Sequence, residues 1–317
     1  MNIGTPLAVI GNVNVDLILG PASPWPRPGT EVIVDHDELR VGGSAGNTAL
    51  AWMGMGVDFA IASSTGEDMF GEWLRSAFGS YAETWVRAPD RTAITVGVTH
   101  PDGERTFFST RGHLGRFCID DALVALDARR LKGGHLLLSA AFQTETLARD
   151  YDRLFDWADL HGITTSIDPG WPDGGWTAAN RARTMAWLAR AGCALFNEAE
   201  ALGLSGLESV EGAAAQLKTH MPAGSLLVVK CGPSGAIGVD ARGALHRTAA
   251  PHVDAVDTVG AGDIFNAAFL AALSAQNAFP NCLERGAAVA SRAISTSPRQ
   301  YDVGLPHGSG PKVLRPA

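Results

Sequence analysis

The chain lacks any run of about 18 consecutive apolar residues, the length a membrane helix requires. Met1 to Ala8 contains no basic segment followed by an apolar stretch, so no secretory leader is read there and a cytoplasmic protein is expected. Lys+Arg 25 against Asp+Glu 33 leaves a net charge of -8, and no basic run occurs. Attraction to nucleic acid or to an anionic membrane is therefore not expected. The four cysteines, Cys118, Cys193, Cys231 and Cys282, form no C-x-x-C pair, and the nine histidines form no H-E-x-x-H or H-x-H group. Neither a zinc site nor a disulfide framework is indicated. The Gly-Lys dipeptide of a nucleotide-binding P-loop is absent, as is a G-x-G-x-x-G after the first strand.

What is present is a 317-residue chain with 46% hydrophobic residues and 37 glycines, enough to bury a substantial core. No Pro/Ser tract or charge block divides it, so residues 1–317 are read as one domain. Leu7 to Ile10 reads as a buried strand and Val13 to Leu19 as a more exposed one. Glu31 to Val34 and Glu38 to Val41 add short strands. Ala45 to Met55 reads as a helix capped by Ser44, and Asp58 to Ala62 as a strand. Arg91 to Thr110 forms a hairpin turning at Pro101, Asp102 and Gly103. Thereafter strands (135–138, 163–167, 194–196, 226–229) alternate with helices (144–160, 177–190 and two late ones). That alternation predicts an α/β fold: a mostly parallel sheet with helices on both faces, carrying a small β excursion from about 13–41 and 91–111. Ligands of such sheets bind beyond the carboxyl ends of the strands.

The most informative stretch is DTVGAGD, Asp257 to Asp263, which runs directly into the helical apolar pattern Ile264, Phe265, Ala268, Phe269. Gly260, Ala261 and Gly262 then sit at a helix N-terminus, where free N–H groups and the helix dipole favour a phosphate. A carboxylate at that mouth suits the base of a phosphoryl transfer, and it also suits an ordinary first helical turn.

DTVGAGD, together with GGSAGN from Gly42 to Asn47, resembles the two signatures of the ribokinase-like (PfkB-type) carbohydrate kinase family. IGNVNVD (Ile10 to Asp16), NEAE (Asn197 to Glu200) and VVKCGPSG (Val228 to Gly235) are similar to further family segments, in the same order, over essentially the whole chain. The resemblance implies a ribokinase-like three-layer α/β/α core with a small β-sheet lid. It also implies transfer of phosphate from ATP to a primary hydroxyl of a sugar, sugar acid or nucleoside. Asp263 would be the catalytic base, with Gly260, Ala261 and Gly262 binding the moving phosphoryl group. Asn14, Asp16, Gly42, Gly43 and Asn47 would face the acceptor. Asn197, Glu200, Lys230, Gly232 and Gly235 would face the nucleotide, with Glu200 ordering Mg²⁺ through water. Asp257 and Thr258 would help bind a monovalent cation such as K⁺, and Asp168, in IDPGWP, would join the phosphate-side network. A homodimer through the lid is a further expectation.

Ser44 stands where typical ribokinases carry Lys, which argues against ribose, and no basic cluster near the glycines suggests a phosphorylated sugar. Arg105 and Arg111, near the second hairpin, are candidates for a carboxylate or sulfonate on the acceptor. GGSAG also fits G-x-S-x-G, which would make Ser44 a hydrolase nucleophile. That reading leaves DTVGAGD unexplained. A non-catalytic sugar-binding or regulatory protein on the same fold is the other alternative.

Overall fold

The computed structural model describes residues 4–102 and 104–302. Its main sheet has eight strands in the order Leu245–Thr248, Ala236–Val239, Leu226–Lys230, Cys193–Asn197, Thr164–Asp168, His135–Ser139, Leu7–Ile10 and Ala60–Ala62. The last six pair in parallel, and the first two join as antiparallel strands.

The central strands are buried along most of their length, and Leu7–Ile10 and the middles of His135–Ser139, Cys193–Asn197 and Leu226–Lys230 are apolar, because both faces are covered. Side chains alternate across a strand. Thus Ala8 and Ile10 enter one core cluster while Leu7 and Val9 enter the other, and Leu136 and Leu138 part from Leu137 in the same way. The first cluster lies under the helices Tyr151–His161, Ala178–Leu188 and Val210–Lys218. The second lies under Ser44–Met55, Ala261–Ser274 and Phe279–Ile294. Trp52, fully buried, donates its indole N–H to the Ala267 carbonyl at 2.8 Å and ties the first of these helices to the second. That contact aligns the two helix N-termini that build the site.

A separate four-stranded sheet, ordered His36–Gly42, Asn14–Gly20, Ile94–Thr99 and Arg105–Ser109, comes from the two β excursions. Its register sets Arg40, Asp16, Thr95 and Ser109 in one row on one face. On the opposite face Leu39, Leu17, Val96 and Phe108 line up in the same manner.

Several local expectations are corrected. Glu31 to Val34 is not a strand, and the strand Asn14–Gly20 is mostly buried, with Val15 in the second core cluster and Ile18 on the opposite face beside the core seam. The stretch expected as one helix from 144 to 160 is interrupted at Arg149 and Asp150, leaving Glu145–Ala148 and Tyr151–His161. The helix Met69–Phe78 was not read from the sequence; Asp68 caps it by accepting from the Gly71 N–H at 2.9 Å. The cysteines are free thiols. Among the described residues, no helix is long and apolar enough to cross a membrane.

Candidate functional site

The helix Ala261–Ser274 begins after Gly260, whose φ of 75° is a left-handed conformation. A Cβ there would also lie 2.8 Å from the Asn47 side-chain amide, so glycine is required twice over. Asp263 falls in the first turn of this helix. Its carboxylate receives the Ser44 hydroxyl on one oxygen and the Asn47 side-chain N–H on the other, the latter at 3.0 Å. Ser44 and Asn47 are three residues apart in the first turn of Ser44–Met55 and therefore share a face. The expected cap is corrected: Gly43 is the N-cap, and the Ser44 hydroxyl points to Asp263 while accepting from Ser139 Oγ at 2.7 Å. A hydroxyl placed between a carboxylate and a second serine has no imidazole to activate it, so the hydrolase reading loses its base. Burial and the neighbouring Asp168 carboxylate push the Asp263 pKa up to about 7, against the pull of Ser44, Lys230 and Asn47.

Asp263, Ser44 and Gly260 stand in the wall between two cavities. The smaller, about 210 Å³, lies between the four-stranded sheet and the core. Asn14, Asp16, Gly43 and Asn47 line it, and so do Asn12, Thr95, Ser109 and Gln143, which the sequence reading did not single out. Asn14 donates to Asp16 Oδ1 at 2.8 Å and accepts from Asn12 at 3.3 Å, while Asn12 Oδ1 accepts the Ser44 backbone N–H at 3.0 Å. Such a row of amides and a carboxylate suits hydroxyl groups, each of which donates and accepts. Gly42 does not line this cavity. A side chain at Gly42 would overlap the Asp16 carboxylate, so its role is to leave room. Burial raises the Asp16 pKa, opposed by Arg40 and the Asn14 hydrogen bond.

The larger cavity, about 720 Å³, opens over the strand ends and the N-terminus of Ala261–Ser274. Gly260, Ala261, Gly262, Thr258, Asn197, Glu200, Lys230, Gly232, Gly235 and Asp168 all line it. Its far end is apolar, with Val253, Ala287, Ala290 and Ile294. Lys230 donates to Asp168 at 2.6 Å and to Asn266 at 3.0 Å, and Asn266 donates to Asp168 at 2.6 Å, closing a buried triangle. Asn266 is one helical turn beyond Asp263, and that spacing was the signal available to find it. Asn197 and Glu200 cap their helix reciprocally: each backbone N–H is bound by the other's side chain, at 2.9 and 2.8 Å. Burial and Asp168 push Glu200 up to about 7 as well. Three carboxylates, Asp168, Glu200 and Asp263, thus share one buried ammonium, a balance that favours a ligand arriving with a cation. Among the described residues, no group of three His, Cys, Asp or Glu is placed to hold a metal alone.

Two expectations, an acceptor contact from Arg111 and a cation held by Asp257, do not match the geometry. Arg111 is an exposed side chain (76%) paired with Asp173 and lies outside the smaller cavity's wall. Arg105 instead binds Asp257 at 3.0 Å, and Asp257 also takes Arg40 and Arg299. Arg299 further donates to the Val259 carbonyl. The Asp257 carboxylate and the adjoining carbonyl are thereby occupied by guanidinium groups, so a monovalent cation held by Asp257 does not fit this chain. Thr258 faces the larger cavity. Arg40, Arg299, Ser139 and Asn12 escaped the sequence reading because their partners lie tens to hundreds of residues away.

Comparison with known proteins shows the family and the fold. The family model described as pfkB family carbohydrate kinase matches residues 5–303. Fructokinase-1 of Oryza sativa subsp. japonica is 27% identical over 237 residues, 72% of each chain. Ribokinase of Haemophilus influenzae is 22% identical over 307 residues, 94% of each chain. A solved E. coli structure in complex with ATP and Mg²⁺ superposes with a TM-score of 0.76 at 18% identity, covering 92% of this chain and 93% of that one.

Proposed function

The chain belongs to the pfkB family of carbohydrate kinases, and on that premise we propose that it transfers the γ-phosphoryl group of Mg·ATP to a primary hydroxyl of a monosaccharide-like acceptor, with Asp263 as general base. The acceptor occupies the 210 Å³ cavity and the nucleotide the 720 Å³ cavity. The observation that carries the reading is the position of Asp263 in the wall common to both.

As the acceptor oxygen attacks, its proton passes to the Asp263 carboxylate, the new O–P bond forms, and the bond to the β-phosphate oxygen breaks to release ADP. A carboxyl with a pKa near 7 is matched to that task at neutral pH. Ser44 and Asn47 hold its two oxygens, and the N–H groups at Gly260 to Gly262 stabilise charge on the phosphoryl oxygens. Mg²⁺, supplied with the nucleotide and held through water near Glu200 and Asn197, would neutralise phosphate charge. The sheet carrying Asp16 and Asn14 acts as a lid that excludes water. The apolar row of Leu39, Leu17, Val96 and Phe108 on its outer face suits a second copy of the chain.

The relatives' names point to different sugars, fructose for one and ribose for another. The test is ADP release with Mg·ATP across ribose, fructose, 2-keto-3-deoxygluconate, other sugar acids and nucleosides, with Asp263→Asn in parallel. Acceptor-dependent release lost in the variant supports the reading. An acceptor that binds by calorimetry without raising ADP release would replace it with a non-catalytic binding protein.

A further inference from the structure

A third cavity, about 610 Å³, lies in the seam between the four-stranded sheet and the core, beside the smaller cavity. Arg40 and Arg105 reach it from the sheet, and Arg299 and Asp257 from core loops. The three guanidinium groups converge on the single Asp257 carboxylate, with side-chain exposures of 16%, 16% and 20%. Three positive charges meet the Asp257 carboxylate, and Asp16 also feels Arg40 and Arg299 from the neighbouring cavity, so what calls for a ligand is the donors left over rather than net charge. Glu38 stands 3.8 Å from Arg40 and is half exposed, and Asp16, opposite Arg40 in the sheet, lines the smaller cavity rather than this one. Arg40 Nη2 and Arg105 Nε are buried donors with no acceptor. A buried charged donor without an acceptor is costly, and an oxyanion is the ligand that relieves it.

We propose that this seam is an oxyanion-binding site, taking a phosphate, sulfate or carboxylate group between Arg40, Arg105 and Arg299. Because two of those arginines belong to the sheet and one to the core, a bound anion links the two and favours the closed arrangement. The site is separate from the phosphate-binding helix N-terminus, and the inference does not depend on phosphoryl transfer. The anion has two sources: a free ion, or an acidic group on an acceptor that extends from the smaller cavity, with which this one shares Asn47.

The experiment is calorimetric titration of inorganic phosphate and of sulfate into the full chain at fixed ionic strength, with Mg²⁺ and a non-hydrolysable ATP analogue saturating the larger cavity. One site should persist, weaken at least tenfold in Arg105→Gln and in Arg299→Gln, and stay within twofold in Arg111→Gln. A native-like circular dichroism spectrum and a melting temperature within a few degrees of the native chain verify that each variant is folded. Absence of binding to the native chain, loss of binding when the nucleotide cavity is filled, or equal affinity in Arg105→Gln would each overturn the assignment. Displacement of bound phosphate by acidic acceptors, but not by their neutral counterparts, assigns the site to the acceptor's own group; displacement by neither assigns it to a free ion.

Discussion

Ser44 gives its hydroxyl hydrogen to Asp263 and takes one from Ser139, so the proposed base is oriented by a side chain from the opposing helix. A hydrogen bond to a charged group contributes about 1.5–3 kcal/mol. Ser44→Ala should lower kcat by roughly 10- to 100-fold with little change in the KM for ATP, whereas Asp263→Asn should remove turnover. Losing the donor also destabilises the carboxylate, so the rising limb of the Ser44→Ala pH profile should move to higher pH. Steady-state kinetics over pH 5.5–9 measure both effects, and an unshifted limb would reduce Ser44 to packing.

Asp263 and Glu200 are both pushed up to about 7 by burial and by Asp168. The base is protonated below that value, so kcat/KM should climb from pH 5.5 to about 7 and flatten above it. Stability should run the other way. A carboxyl with a raised folded pKa binds more protons folded than unfolded between its unfolded value and about 7, so stability falls as pH rises through that window. Asp263→Asn removes one such charge. Its melting temperature relative to the native chain should therefore be higher at pH 8 than at pH 5, by a few degrees, in differential scanning calorimetry.

The strands that carry the core were legible because buried parallel strands are short, continuous apolar runs: Leu7–Ile10 and Leu226–Lys230 were read to within a residue. Asp263 stood out because a helix N-terminus concentrates its chemistry within a few residues, whereas Asn47 and Glu200 were singled out by the resemblance of GGSAGN and NEAE to family segments. The helix over 144–160 was read as continuous because apolar periodicity does not register a break at Arg149 and Asp150. Ser44 was assigned to the cap because serine commonly plays that part; only the approach of the helix Ala261–Ser274 offers its hydroxyl a carboxylate instead. The arginine cluster was invisible for a related reason. Arg40, Arg105 and Arg299 come from three distant segments, and Asp257, which gathers them, reads locally as part of the DTVGAGD motif.

Gly42 has value through what it lacks, since any side chain there meets the Asp16 carboxylate. Gly42→Ala and Asp16→Asn should each raise the acceptor KM at least tenfold while leaving Mg·ADP affinity within twofold. Acceptor saturation curves and nucleotide titration check this. Equal weakening of both ligands would mean a general disturbance rather than loss of an acceptor contact.

Phe108 and Leu39 are exposed at 56% and 44% in the apolar row of the four-stranded sheet. If two copies pair through that face, Phe108→Asp should convert a dimer to a monomer in light scattering. A native chain that is monomeric at micromolar concentration would remove the pairing.

The proposed phosphate contact requires the loop leading into Gly260 to be held in place, and here the holding charge is covalent. Arg299 bridges the Asp257 carboxylate and the Val259 carbonyl, while Arg40 and Arg105 complete the shell around Asp257. Adding K⁺ beside three guanidinium groups would set like charges together without a free carboxylate to balance them. The rate should therefore be unchanged within twofold when K⁺ is replaced by choline at constant ionic strength. Arg299→Ala should lower kcat at least tenfold, because Val259 and the adjoining Gly260 lose their anchor. A native enzyme whose rate rose severalfold with K⁺ would show that this loop takes its charge from solution, and that the arginine shell does not replace it.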